Sequence, residues 1–153
     1  MIKKVYIDTS VIGGNFDEEF KLWTELFFKE VKKGTFQIVI SEHLINELTL
    51  ARDNVKNFLD SIPDKHKLFI EYTMEAKQLA DLYLKEKIVG PASTVDCRHI
   101  ATATVNNIEV LTSWNFKHIV NLNKIRLYNA VNVREGFRNI EIRTPREILD
   151  YEN

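Results

Sequence analysis

Three acidic residues that lie far apart in the chain are the first candidates for chemistry. Asp8 follows directly on residues 3–7, an apolar segment that predicts a short β-strand. Glu47 lies on a predicted helix, about 60° around the helix axis from Leu44, and therefore borders the buried stripe of that helix. Asp96 falls in the first turn of another predicted helix, where the backbone dipole favours an anion. We expect the three side chains to gather at one site.

Three carboxylates that gather from separate elements repel one another unless a cation lies among them. Magnesium takes oxygen ligands, keeps several waters, and binds through one or two carboxylates together with phosphate groups. Such an ion orients a phosphodiester, lowers the pKa of a water molecule and neutralises developing charge. The chain has no clustered set of cysteines and histidines of the kind that binds zinc. The acids therefore predict phosphodiester chemistry supported by magnesium.

Each acid also has an ordinary structural interpretation, which the residues alone leave open. Asp8 could cap a turn through backbone hydrogen bonds, and Glu47 could be a surface glutamate. Asp96 could form a capping box with Ser93. His99, one helical turn beyond Asp96, could act as a general base, or it could orient a carboxylate or pack in the wall of the site.

The composition predicts one globular domain in a reducing compartment. The 153 residues are 44% apolar and 28% charged, a mix typical of a folded soluble protein with one core. The single cysteine, Cys97, cannot form an internal disulfide, which fits the cytoplasm. No secretory signal is evident, and no apolar run approaches the roughly 18 residues of a membrane span. We expect a single cytoplasmic domain over residues 1–153, without a membrane partner.

The net charge of −1 lacks the basic excess of many nucleic-acid-binding proteins. Contacts with nucleic acid would have to come from local features. Trp114 could stack on a base, although a role in the core or in a subunit contact is the favoured interpretation. The basic candidates are two clusters that could equally be solvated surface, namely Lys29, Lys32 and Lys33, and Lys124 with Arg126.

Apolar periodicity predicts strands that alternate with helices. Strands are predicted at 3–7, 36–40, 108–111 and 140–142, with a loop over 9–14. Helices are predicted at 18–33, 42–51, 54–60, 73–87, 94–106, 116–120 and 128–137, with a last helical turn beginning at Pro145. This alternation favours an α/β fold with a largely parallel sheet. In such sheets the ligand site lies beyond the carboxyl ends of the strands, where Asp8 stands.

Five short segments carry a family resemblance when they are taken in order. They are VYIDTSV at 5–11, SEHLINEL at 41–48, DCRHIATA at 96–103, LTSWNFKHI at 111–119 and IRTPRE at 142–147. Together they resemble the PIN-domain family, especially the VapC-like toxin nucleases of toxin–antitoxin pairs. The resemblance spans nearly the whole chain and implies a three-layer α/β/α domain with a central, mostly parallel sheet.

The resemblance also implies which residues form the site. Asp8, Glu47 and Asp96 match the acidic positions that bind metal and carry catalysis in the family. Thr9 or Ser10 matches the small hydroxyl residue that is expected beside metal-bound water or phosphate.

Two further positions are less settled by the resemblance. Asn115 stands where the family commonly has a fourth acid, and its amide can supply an oxygen to magnesium but no charge. One ion and two ions therefore both remain open. His99 is a further candidate for positioning substrate or water.

The function implied by the resemblance is that of a magnesium-dependent endoribonuclease, with manganese as a substitute ion. It would hydrolyse RNA phosphodiester bonds, leave a 5′ phosphate, form a homodimer, and pair with an antitoxin that inserts a segment across the acidic site. Two alternatives stay open. One is a non-catalytic PIN-like module that binds RNA or protein, which the neutral Asn115 and the weak net charge allow. The other is an RNA-processing nuclease without a toxin role.

Overall fold

A parallel sheet of five strands forms the centre of the structure, a computed structural model that describes residues 3–152. The strands are β1 (Lys3–Ile7), β2 (Phe36–Ser41), β3 (Lys67–Ile70), β4 (Val110–Thr112) and β5 (Glu141–Arg143). Their order in the sheet is β3-β2-β1-β4-β5, and every neighbouring pair is parallel. The predicted α/β class and parallel central sheet are therefore confirmed.

Helices cover both faces of this sheet and complete a three-layer α/β/α arrangement. The helices are α1 (Thr9–Gly13), α2 (Lys21–Lys33), α3 (Glu42–Leu48), α4 (Asp53–Phe58), α5 (Met74–Lys85), α6 (Thr94–Val105), α7 (Leu122–Arg134) and α8 (Pro145–Glu152). Side chains of α5, α6 and α7 pack on one face, and those of the other five helices pack on the opposite face. Among the helices of residues 3–152, none has the combined length and apolarity that a membrane crossing requires.

Alternation along β1 explains why its last three residues are buried on both faces of the sheet. Tyr6 points into the apolar cluster under α5, α6 and α7, whereas Val5 and Ile7 point into the cluster under α1 and α2. All three side chains are fully buried. Successive side chains of a strand point to opposite faces, so a strand that is covered on both faces becomes a continuous apolar run. The local sequence therefore predicts a central strand at this position.

The strand order reverses beside β1. The chain passes from β1 outward through β2 to β3, and then crosses to the other side of β1 to form β4 and β5. In open parallel sheets, the two connections that leave a reversal point on opposite faces open a crevice at the carboxyl ends of the strands. The residues after β1 and β4 are therefore brought to one crevice, and the register pairs Ile7 with Thr112 at its edge.

Two predicted local structures are wrong. Residues 116–120 form turns rather than a helix; the Asn115 backbone carbonyl accepts hydrogen bonds from the amides of Ile119 and Val120 and closes the turn. Residues 9–13 form helix α1 rather than a loop. The two apolar residues of α1, Val11 and Ile12, are fully buried, so tertiary packing outweighs the turn signal of the adjacent glycines.

Strand β3 was not predicted, and some helix starts are shifted. Lys67–Ile70 lies at the edge of the sheet with Phe69 half exposed, so its apolar pattern is weak. Helix α7 begins at residue 122 rather than 128, because the Asn121 side chain caps it by accepting a hydrogen bond from the Lys124 amide. Helix α2 begins at residue 21 rather than 18.

Close packing around Gly14 positions the loop after β4. Trp114, in that loop, is buried and stacks on Phe20 with 4.4 Å between ring centroids. Its indole Nε1 donates a hydrogen bond of 2.9 Å to the hydroxyl of Thr24 on α2. A Cβ atom on Gly14 would lie 2.8 Å from this Nε1 atom. Trp114 is therefore a core residue that holds the loop against α2. Position 14 must be glycine because the indole ring leaves no room there for a Cβ atom.

The adjacent glycines provide a matched test of this packing. Gly14→Ala should lower the free energy of unfolding by about 1–3 kcal/mol, because the methyl group forces Trp114 and Thr24 apart. Gly13 has helical φ of −59° and no atom within 4 Å of a Cβ built on it. Gly13→Ala should therefore be neutral or stabilising by up to about 1 kcal/mol. Urea denaturation of both variants, followed by tryptophan fluorescence, measures the difference, and equal effects would contradict the packing argument.

Candidate functional site

The Asp8 carboxylate lies at the crevice, directly after β1, and is only 4% exposed. Its Oδ1 accepts a hydrogen bond of 2.6 Å from the Ser10 hydroxyl, and its Oδ2 accepts one of 2.6 Å from the Ser113 hydroxyl. Asp8 is the N-cap residue of α1, but its side chain makes no capping hydrogen bond. The carboxylate is therefore held by two hydroxyls from different segments rather than by a turn.

The two serines also tie the loop after β4 to the start of α1. Their hydroxyl oxygens are 3.3 Å apart, and the Ser10 hydroxyl accepts a hydrogen bond of 2.9 Å from the Trp114 amide. The Ser113 hydroxyl accepts a hydrogen bond of 2.9 Å from the backbone amide of Asn115. Ser10 was a sequence candidate, whereas Ser113 was missed. The available signal for Ser113 was its place just after the predicted third strand, at the same sheet edge as Asp8.

Asp96 lies in the first turn of α6, and Asn115 orients it. Ser93 is the N-cap residue of α6 but makes no side-chain capping bond, so the capping box is not formed. The Asp96 Oδ2 accepts a hydrogen bond of 3.3 Å from the side-chain amide nitrogen of Asn115. The Asn115 side-chain oxygen accepts bonds from the backbone amides of Lys117, at 3.2 Å, and His118, at 3.0 Å. In this arrangement Asn115 directs its nitrogen to Asp96 and its oxygen into the turn.

Glu47, on α3, is linked to the site through His99 of α6. The Glu47 Oε1 and the His99 Nε2 are 2.7 Å apart, and the imidazole is 1% exposed. Sequence reasoning placed His99 beside Asp96, one turn away on the same helix, whereas its hydrogen bond crosses to a different helix. Thr9, the first residue of α1, contributes to the polar surroundings of Glu47.

Burial and mutual repulsion govern the charges of the three acids. Burial, followed by the charge of Asp8 and with a smaller contribution from Glu47, raises the pKa of Asp96 to about 6. Burial also raises the pKa of Asp8, which the hydroxyls of Ser10 and Ser113 partly oppose. For Glu47, burial acts to raise the pKa, but the effects of neighbouring groups, led by the hydrogen bond with His99, outweigh burial, so the pKa is lowered. The three carboxylates therefore share one electrostatic environment.

The chemistry of these donors fits a hard divalent cation. The three acids and the hydroxyls of Ser10 and Ser113 offer carboxylate and hydroxyl oxygens, which magnesium and manganese prefer. Within residues 3–152, no three His, Cys, Asp or Glu side chains form a ready-made ligand cluster. The structure thus brings the acids into one crevice, each engaged by a protein partner, without arranging them as a coordination shell. Their assignment as metal ligands remains a prediction.

The sheet order, the helices on both faces and the crevice beside β1 and β4 define a VapC-like PIN-domain fold. Neither a protein-family model nor a curated protein matches the sequence. The likeness is therefore carried by the arrangement of the elements rather than by residue identity.

The structure is similar to that of VapC20 from Mycobacterium tuberculosis, a sarcin–ricin loop cleaving toxin, with a TM-score of 0.58 and 14% identity, covering 90% of this chain and 98% of that chain. It is similar to VapBC2 from Rickettsia felis, solved with promoter DNA, with a TM-score of 0.56 and 13% identity, covering 92% of this chain and 98% of that chain. It is also similar to FitAcB from Neisseria gonorrhoeae, with a TM-score of 0.56 and 13% identity, covering 92% of this chain and 97% of that chain. At these identities the comparisons establish the fold.

The raised pKa of Asp96 predicts how the metal-free protein responds to pH. The folded state binds the Asp96 proton more tightly than the unfolded chain does. This stabilising contribution is complete below about pH 4 and is lost as the pH rises through about 6. Asp96→Asn keeps an acceptor for Asn115 but cannot ionise. At pH 7 it should raise the free energy of unfolding by about 1–2 kcal/mol, since solvent screens the partly exposed group.

Urea denaturation with EDTA at pH 7 and at pH 4 measures this effect. The gain from Asp96→Asn should be present at pH 7 and should nearly vanish at pH 4. Asp60→Asn, at an exposed residue outside the crevice, is the matched control and should change the stability little at either pH. An equal gain from Asp96→Asn at both pH values would show that repulsion within the crevice is not its cause.

Proposed function

We propose that this chain is a metal-dependent endoribonuclease and the toxin of a toxin–antitoxin pair. Its VapC-like PIN-domain fold supports this proposal, since VapC20, which shares the fold, is a sarcin–ricin loop cleaving toxin. FitAcB and VapBC2 also share this fold. The proposal extends to magnesium or manganese as the cofactor, to an antitoxin as the protein partner, and to a homodimer.

The observation that carries the proposal is the hydrogen-bonded path from Asp8 through Ser113 and Asn115 to Asp96, which links acids from two separate elements. Burial raises the pKa of Asp96 most, and the repulsion from Asp8 and, to a smaller extent, Glu47 adds to it, although each of these acids lies on a different element. A crevice whose carboxylates have perturbed pKa values, here raised for Asp8 and Asp96 and lowered for Glu47, is typical of a functional site. A divalent cation would relieve this repulsion and at the same time attract a phosphodiester. The same site with no cation would repel RNA.

The roles of the residues follow from their contacts. Asp8, Asp96 and Glu47 would hold the ion, which when bound supplies charge neutralisation at the phosphate and lowers the pKa of a water molecule. The hydroxyls of Ser10 and Ser113 fix both oxygens of Asp8 in direction.

Asn115 has a supporting role in this scheme. Its amide nitrogen contacts Asp96 and its oxygen is engaged by the turn, so it would orient an acid rather than add a charge. This arrangement favours a site whose charge comes from three acids. For Asn115 to bind the ion, its side-chain oxygen would have to give up the two hydrogen bonds that it accepts from backbone amides.

RNA cleavage tests the assigned site. The purified chain should cut structured RNA, including a sarcin–ricin loop hairpin and transfer RNA, when magnesium or manganese is present and not when EDTA is present. Asp8→Asn should abolish cleavage, because it removes the buried charge while keeping the size of the side chain. Asp60→Asn should cut like the unmodified chain.

The possible outcomes separate the alternatives. Unchanged cleavage by Asp8→Asn would refute the assigned site. Tight binding of several RNAs without cleavage by the unmodified chain would favour the non-catalytic module, which the neutral Asn115 also allows.

Growth on expression tests the toxin role. Expression of the unmodified chain in bacteria should arrest growth, while Asp8→Asn at equal protein level should not. Co-expression of a small reading frame that adjoins the gene should restore growth, because an antitoxin that covers the crevice would block access to RNA. Normal growth with a chain that cleaves RNA in vitro would favour the RNA-processing nuclease.

A further inference from the structure

A buried chain of hydrogen bonds leads through the core to Glu47. The Ser41 hydroxyl and the Tyr6 hydroxyl are 2.7 Å apart, and the Tyr6 hydroxyl is 2.6 Å from the His99 Nδ1. The other nitrogen of His99, Nε2, is 2.7 Å from the Glu47 Oε1. These distances are all within the normal range of hydrogen bonds. This hydrogen-bond chain therefore connects Glu47 to His99, Tyr6 and Ser41 inside the protein.

All members of this hydrogen-bond chain except Glu47 are buried. Ser41 and Tyr6 are fully buried, at the end of β2 and within β1, and His99 is 1% exposed on α6. Ser41 is the N-cap residue of α3, the helix that carries Glu47, but its hydroxyl makes no capping bond and turns to Tyr6 instead. Four elements are thus joined at one point beneath the crevice. Glu47 is the single member that is partly exposed.

Counting protons assigns a direction to the chain. Burial raises the pKa of the Tyr6 hydroxyl far above its usual range, so Tyr6 keeps its one proton. Each proton finds an acceptor when Ser41 donates to Tyr6, Tyr6 donates to the His99 Nδ1, and the His99 Nε2–H donates to Glu47. In the opposite direction the Ser41 proton would have no acceptor among residues 3–152. An unmatched buried proton donor is costly, which favours the first direction.

Both ring nitrogens of His99 are engaged in hydrogen bonds within this arrangement. A general base must offer a free lone pair to the proton that it removes. The Nδ1 lone pair accepts from Tyr6, and the Nε2 atom carries the proton that Glu47 accepts. A second histidine, His43, packs against the His99 ring with 5.7 Å between centroids. Mainly because of its own burial, the pKa of His43 falls to about 4, so it adds no charge beside His99.

We propose that His99 is a positioning residue, which Tyr6 and Ser41 lock in one tautomer so that it fixes Glu47 for metal binding. This inference rests on the proposed metal-dependent function. Each carboxylate oxygen has two lone pairs, so Glu47 can accept the hydrogen bond from His99 at Oε1, be fixed in direction by it, and still offer lone pairs to the ion. Partners of this kind, which orient a ligand without touching the metal, commonly contribute 10–100-fold to metal affinity.

The tautomer of His99 tests the first part of the proposal without any metal. Long-range ¹H–¹⁵N correlation spectra of labelled protein with EDTA should show His99 with its proton on Nε2. Tyr6→Phe removes the donor to Nδ1 and should mix the two tautomers. Tyr83→Phe is the matched control, because it removes another buried hydroxyl, which donates to Asn132 outside the crevice. A proton on Nδ1 in the unmodified chain would overturn the proposal.

Manganese affinity, measured from the paramagnetic resonance signal of free Mn²⁺, tests the second part. His99→Leu should weaken Mn²⁺ binding by about 10–100-fold, because Glu47 loses its donor. His99→Gln places an amide N–H near the position of Nε2 and should restore most of the affinity, a rescue that a merely space-filling role would not give. Tyr83→Phe should bind like the unmodified chain. Circular dichroism confirms that each variant is folded.

The failure of this inference differs from the failure of the proposed function. If the unmodified chain binds Mn²⁺ and His99→Leu binds it equally well, the positioning role is overturned while the metal site stands. If the unmodified folded chain binds no Mn²⁺, the metal site is refuted and the inference fails with it. Loss of binding in His99→Leu with rescue in His99→Gln supports both.

Discussion

Burial of the Asp8 carboxylate at the reversal of strand order is the constraint on which the rest of the site depends. A buried charge needs hydrogen-bond partners, and β1 itself offers none to the end of this side chain. The partners come from Ser10 on α1 and Ser113 after β4, one for each carboxylate oxygen. Both segments must therefore turn toward Asp8, which places Trp114 against α2 and Asn115 beside Asp96.

The same constraint accounts for the electrostatics of the crevice. Asp8 is almost completely buried, and the burial of Asp96, together with the charge of Asp8, raises the pKa of Asp96 to about 6. Glu47 escapes this rise because His99 stabilises its charged form. The protein thus holds two acids at a cost in stability and a third in a favourable setting. Such a conflict between stability and charge placement is typical of sites that are completed by a ligand.

The fold persists at 11–14% identity to the similar structures because few of its requirements are specific. A parallel sheet that is covered on both faces needs apolar strands of the right length, and many residue combinations satisfy this need. The crevice needs far more specific partners. In this chain those partners include an amide at position 115 and the buried chain from Ser41 to His99. Function therefore depends on the site rather than on the fold.

The amino-acid sequence by itself predicted the α/β class and four of the five strands, because apolar periodicity reports directly which face of a local element is buried. The roles of the three acids that it singled out stay a prediction. It missed β3 at the sheet edge, where periodicity is weak, and helix α1, which buries Val11 and Ile12 against the core.

Only the tertiary structure decided the partners of each acid. Ser113 reaches Asp8 across 105 positions of the chain, and His99 reaches Glu47 across 52. Local pattern placed His99 beside Asp96 and Ser93 in a capping box, and neither expectation describes the hydrogen bonds that form. The physical reason is that a buried polar group bonds to whatever donor the packed elements bring within about 3 Å. That choice depends on strand order, which no local spacing encodes.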